Sequence, residues 1–104
     1  MKRVAFKMYL KEGYKEEYRQ RHRDLWPEVA DLLKKAGVSE YSIFLDERTH
    51  ALFAVQTLSQ EEGSQSLGHH EIIQRWWDYM ADIMEVHPDN SPVAEALEEM
   101  FYLE

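Results

Sequence analysis

The chain has 104 residues, no cysteine and a formal net charge of −8 at neutral pH. Its length supports one hydrophobic core, so residues 1–104 are expected to form a single domain that carries both core and site. The composition excludes a disulfide framework, a thiolate nucleophile and a cysteine-ligated metal, and the acidic surplus speaks against nucleic acid or an anionic membrane as partner.

At the N-terminus, "MKRVAFKMYLKEGY" begins basic, but Lys7 interrupts the apolar run and Lys11 and Glu12 end it. Neither a signal peptide nor a membrane span fits, and a cytoplasmic protein is expected. Within it, "VAFKMYL" (4–10) alternates Val4, Phe6, Met8 and Leu10 against Ala5, Lys7 and Tyr9, which predicts a first strand. After Gly13, "YKEEYRQRHRDLWPEVADLLKKAG" carries Tyr14, Tyr18, His22 and Leu25, then Val29, Leu32 and Leu33, at helical spacing. Pro27 lacks an amide hydrogen and restricts Trp26, so the helix should bend or restart there, and Gly37 should stop it.

The runs "EYSIFLD" (40–46) and "HALFAVQTL" (50–58), joined by "ERT", predict a hairpin of two strands. Ser59 and Glu62 have capping-box spacing for a second helical region, interrupted by Gly63 and Gly68 and resuming over 70–84. Then "HPDNSPV" is loop, with Ser91 and Pro92 as a helix start, "EALEEM" as a solvated helical face and "MFYL" (100–103) as a last strand. The order strand, helix, strand, strand, helix, strand is that of an α+β, ferredoxin-like split βαβ fold: one antiparallel sheet with helices on one side. The strands carry apolar residues on both faces, so a second copy on the free face, a homodimer, is expected.

His22 shares a stripe with Tyr18, and a side chain of its pKa suits proton transfer near neutrality; a core histidine satisfied by backbone is the competing reading. In "QRWWDYMADIM", Ile73, Trp77, Met80 and Met84 form one apolar stripe and Ile72, Trp76, Tyr79 and Ile83 another. One stripe suffices to cover the sheet, and the second is either more core or the wall of a pocket able to hold the apolar face of a sugar. His69 and His70 lack a metal-ligand partner at helical spacing, and His50 and His87 belong to turns. No metal site is expected.

Taken together, "EEYRQRHRDLWPEV", "YSIFLD", "QRWWDYMADIM", "PDNSPV" and the final "FYL" resemble the L-rhamnose mutarotase family along the whole chain. The "RH" followed by "LWPE", and "QRWW" followed by "PDNSPV", carry most of the likeness; "SQEEGSQSLGHHEII" matches least. The resemblance implies a cofactor-free isomerase that interconverts the α and β anomers of L-rhamnose or a related 6-deoxy sugar, built as a dimeric α/β barrel of ferredoxin-like subunits. It also implies His22 as proton donor, Tyr18 and Tyr41 as sugar-contacting hydroxyls, and Trp76 and Trp77 as a sugar-binding wall. A sugar-binding module without catalysis, or a haem-handling monooxygenase of like architecture, are the alternatives.

Overall fold

The computed structural model describes residues 1–104. In chain order it contains β1 (Lys2–Tyr9), α1 (Lys15–Arg23), α2 (Pro27–Lys35), β2 (Val38–Asp46), β3 (Ala51–Leu58), a single 3-10 turn (Ser64–Ser66), α3 (Glu71–Met80) and β4 (Glu95–Leu97). The four strands make one antiparallel sheet in the order β2-β3-β1-β4, so the chain is an α+β protein of ferredoxin-like topology. No helix is long and apolar enough to cross a membrane.

Period-2 alternation decides what each strand face does. Phe6, Met8 and Leu10 from the β1 segment join Leu52 and Ala54 from β3 in one core, completed by Val29 of α2 and by Ile73, Met80, Ile83 and Met84 from α3 and the turn after it. The opposite face has no helix over it, and there Phe44 pairs with Phe53 while Phe44 and Leu97 stay 64% and 40% exposed.

The long helical stretch divides where proline requires it. Trp26 is extended (φ −60°, ψ 129°) and Pro27 takes the first helical position of α2, where its missing amide hydrogen is not needed. Gly37 ends α2 in the left-handed region at φ +91°, its amide donating to the Lys34 carbonyl at 3.1 Å.

Strand β2 contains an irregularity that composition does not announce. Val38 pairs with buried Leu58, but the register slips between Ser39 and Ser42, with Glu40 at φ 48°. Beyond the bulge Ile43 and Leu45 pair with buried Ala54 and Leu52, so Tyr41, two residues before Ile43, also turns to the helix side and packs on the core.

Three sequence expectations are corrected. No helix starts at Ser59: its amide and hydroxyl both donate to the Gly37 carbonyl, at 2.9 and 3.4 Å, which spends the hydroxyl on the α2–β2 turn. Ser91 and Pro92 start no helix either, because the Ser91 amide donates to Asp89 Oδ1 at 2.9 Å and Pro92 bridges back to Val86, closing a tight turn through Asn90 at φ 69°.

The last strand is Glu95–Leu97, inside the supposed helical face, and residues 100–103 are not a strand. The cause is register. Amide bonds from Lys11 to the Ile83 carbonyl and from Glu85 to the Tyr9 carbonyl, 2.9 and 3.0 Å, fix where the returning chain meets β1. Running antiparallel from there, Glu95 meets Lys7 and Leu97 meets Ala5, and the Arg3–Glu99 ion pair at 3.1 Å marks the end of β1. Met100, Phe101, Tyr102 and Leu103 have no strand left to pair with and are 84%, 78%, 55% and 80% exposed.

Candidate active site

Tyr18 and His22 occupy successive turns of α1, which puts them on one face. The Tyr18 side chain is buried, and the two rings lie 4.3 Å apart at 30°. His22 Nδ1 is 3.0 Å from the Tyr18 carbonyl oxygen. A carbonyl only accepts, so Nδ1 carries the hydrogen and Nε2 keeps its lone pair. Burial disfavours the imidazolium and lowers the His22 pKa from its ordinary 6.5, with the Tyr18 carbonyl pulling the other way. At neutral pH the side chain is therefore a neutral imidazole with one committed and one available nitrogen.

Around it stands an aromatic cluster. Trp76 and His22 meet edge to face at 5.6 Å and 88°, and Trp26 meets Trp76 at 5.1 Å and 82°. Tyr79 stacks on Trp26 at 5.4 Å and lies 5.7 Å from Trp76. Arg21 fastens this cluster from outside: it donates from Nε to Glu17, from Nη1 and Nη2 to both Asp82 oxygens, and from Nη1 to the Tyr79 carbonyl, while its guanidinium lies 4.5 Å over the Tyr79 ring. Those bonds raise the Arg21 pKa and lower that of Asp82. The result is a clamp between α1 and the end of α3, with His22 the next residue along.

Trp76 and Trp77 are equally buried, each 8% exposed, although they project from different sides of α3. The six-membered ring of Trp77 lies against Gly68, where a β-carbon would collide with it, so the glycine that interrupts the helical region also makes room for the indole.

On the sheet side, the β2 bulge brings Tyr41 to the helix face, with Ser64 Oγ 3.4 Å from its hydroxyl. Burial pushes the Tyr18 phenol well above its usual range, Tyr41 adding to the effect, and burial likewise raises Tyr41. Both tyrosines are neutral hydroxyls at physiological pH.

All five sequence-derived site residues, His22, Tyr18, Tyr41, Trp76 and Trp77, line one cavity of about 1230 Å³ between the helices and the sheet, walled further by apolar side chains including Met8, Leu10 and Leu52. His69 and His70 lie 4.2 Å apart with their rings tilted by 41° and do not line it. No three His, Asp or Glu side chains gather as a metal site. Sequence reasoning missed Trp26, Arg21, Ser64 and Gln56, and had Tyr79 only as a member of the second apolar stripe. Gln56 did carry a signal, being the one polar residue on the inward face of an otherwise apolar strand, where it is fully buried.

An available imidazole nitrogen, two neutral hydroxyls and aromatic walls, with no charged side chain among the five, suit reversible proton transfer on an uncharged, hydroxyl-bearing ligand. Fold and site thus define a small α+β protein of ferredoxin-like topology with an aromatic-walled cavity between its helices and sheet. A family model described as L-rhamnose mutarotase matches residues 3–103. Proteins named L-rhamnose mutarotase from Bacteroides thetaiotaomicron and Formosa agariphila are 61% and 60% identical to this chain over 104 residues, covering 100% of both chains in each case. A crystal structure of an L-rhamnose mutarotase from Formosa agariphila superposes with a TM-score of 0.90 at 55% identity, again covering 100% of both chains. The chain belongs to the L-rhamnose mutarotase family.

Proposed function

We propose that the protein interconverts the α and β anomers of L-rhamnose, or of a related 6-deoxy sugar, with His22 as the group that moves the proton. The observation that carries this reading is the hydrogen bond from His22 Nδ1 to the Tyr18 carbonyl, which leaves Nε2 as an acceptor on the wall of an aromatic cavity. Opening a pyranose needs a proton taken from the anomeric hydroxyl and one given to the ring oxygen as the bond from that oxygen to the anomeric carbon breaks. The two oxygens share that carbon, so one imidazole can take the proton from the first and donate it to the second. The aldehyde then rotates about one bond and closes on its other face by the same steps in reverse. Tyr18 and Tyr41 hold sugar hydroxyls; Trp76 and Trp77 take the C–H face and the methyl group.

Proton NMR saturation exchange between the rhamnose anomers, with and without dialysed protein and no added cofactor, tests the reading. Faster exchange with protein is expected; a rate equal to that of buffer would end it.

The lowered His22 pKa gives a pH dependence of definite sign. The unfolded chain binds this proton at about pH 6.5, before the folded one does, so acidification below 6.5 costs stability until the folded pKa is passed. In the same window protonation removes the Nε2 lone pair. Exchange rate and melting temperature are both expected to fall on the acid side of neutrality in the wild type, and His22→Gln is expected to abolish that dependence. An acid limb that persists in the variant would assign it to another group.

We further propose that residues 1–104 act as one domain, in the cytoplasm, as a homodimer forming a dimeric α/β barrel. The uncovered sheet face with Phe44, Phe53 and Leu97 supports the pairing. Light scattering at micromolar concentration should give twice the 12.4 kDa chain mass, and the single mass would refute it.

A further inference from the structure

Behind Tyr41 lies a buried polar chain for which sugar contact alone gives no reason. Gln56 is completely buried in β3, and Ser64 begins the 3-10 turn and is also buried. The Ser64 amide donates to Gln56 Oε1 at 2.9 Å, and Gln56 Nε2 lies 2.9 Å from Ser64 Oγ. Gln65 Nε2 reaches the same Ser64 oxygen at 3.2 Å, and Tyr41 Oη stands 3.4 Å away on its other side. Gly63 completes the fit: a β-carbon there would lie 2.6 Å from Gln56 Oε1.

The bond directions follow outward from the Gln56 amide. A backbone N–H can only donate, so the Gln56 atom facing Ser64 N is the oxygen, and the amide is locked in one orientation. The other end of that amide is then NH₂, which can only donate, so Ser64 Oγ accepts from it. Gln65 supplies a second donor to the same oxygen, and both Ser64 lone pairs are filled. The Ser64 proton has one acceptor left within reach, Tyr41 Oη. A phenol oxygen that accepts on this side must send its own hydrogen elsewhere, and its other side is the cavity.

We infer that Gln56 and Ser64 are positioning residues that polarise the Tyr41 hydroxyl, fixing it as a hydrogen-bond donor into the cavity. In the mutarotase reading, on which this second clause rests, the donor meets an oxygen acceptor of the sugar. A hydroxyl oriented before the ligand arrives has no rotor to freeze on binding, and a buried amide is a rigid way to orient it.

The test reads bond direction with and without sugar. With 3-fluorotyrosine incorporated, ¹⁹F NMR follows ionisation of each tyrosine, and Tyr41→Phe identifies the Tyr41 signal. A Ser64 hydroxyl that donates to Tyr41 favours the phenolate, so Ser64→Ala should move the Tyr41 ionisation to higher pH. Movement to lower pH, or none, would show that Tyr41 donates to Ser64 or ignores it, and would overturn the inference.

Rhamnose titrations followed by tryptophan fluorescence supply the second arm. Ser64→Ala should weaken binding by up to about tenfold, the scale of one neutral hydrogen bond, and should have no further effect once Tyr41→Phe is present. A loss of equal size in both backgrounds would make Ser64 merely structural and overturn the positioning role. Should the wild type fail to bind rhamnose while the ionisation still moves upward, the directed proton stands and the sugar assignment falls. Ser64→Thr guards against a misleading fold defect in Ser64→Ala: it keeps a hydroxyl that can donate and should hold the Tyr41 ionisation near its wild-type pH. A folded Ser64→Thr protein that shifts as Ser64→Ala does also overturns the inference.

Discussion

Replacing His22 by alanine should lower protein-dependent anomer exchange by ~10²–10⁴-fold, the usual contribution of a positioned acid–base group. The neighbourhood says why nothing else can substitute. Tyr18 and Tyr41 are held protonated by burial, so neither is a useful base near neutrality, and the carboxylate of Asp82 behind the aromatic cluster is bound to Arg21. Truncation should leave the fold in place, because His22 is only half-buried and its one hydrogen bond goes to a carbonyl of its own helix. The measurement is saturation exchange on a variant whose circular dichroism matches the wild type. Exchange within a few-fold of normal would free His22 from the mechanism, and an unfolded variant would return it to the core.

Trp77→Ala should lower stability by about 3–5 kcal/mol, the range for deleting a buried large aromatic. For a chain of this size that is a fall of more than ~10 °C in melting temperature. Its indole fills the space over Gly68, so truncation leaves a void beside a residue that has no side chain of its own. Trp76→Ala should behave differently although its exposure is the same. Its ring touches His22 and Trp26, so its removal loosens the imidazole and takes away a wall, lowering exchange and rhamnose affinity by more than its stability loss explains. Melting curves and sugar titrations on both variants decide the matter. Matching stability losses with unchanged affinity would assign both indoles to the core.

Much of this arrangement was legible because its periodicities are local. The alternation of Phe6, Met8 and Leu10, the proline break after Trp26 and the glycine stop at Gly37 are each decided by a few adjacent residues, and the structure has them where sequence puts them. The last strand was illegible because it is decided at a distance. "EAL" has little β-propensity and "MFYL" has much, but pairing follows the point at which Ile83 and Glu85 bind the end of β1. In the site, Tyr18 and His22 could be placed together from spacing, whereas the contacts of Trp26 with Tyr79 and of Gln56 with Ser64 join segments that no periodicity connects. Tyr41 entered through family resemblance alone, since alternation from Val38 would have turned it away from the core.

That last point makes the β2 bulge a determinant of what kinds of mutation this segment can absorb. The slip at Glu40 is one residue of extra length, and it alone decides whether Tyr41, Ile43 and Leu45 or Ser42, Phe44 and Asp46 look toward the helices. Substitutions at exposed Ser39 or Glu40 leave that parity alone, and glycine at position 40 would even relieve the left-handed backbone. Deleting Glu40 would close the bulge, set Tyr41 opposite Gln56 and leave Ile43 and Leu45 facing the helices, whereas a regular ladder that kept all three residues from Ser39 to Tyr41 would turn Phe44 and a carboxylate toward the cavity. Descendants of this sequence can therefore vary the letters of the bulge, or lose its extra residue, without turning the strand over; what they cannot do is straighten it at its present length.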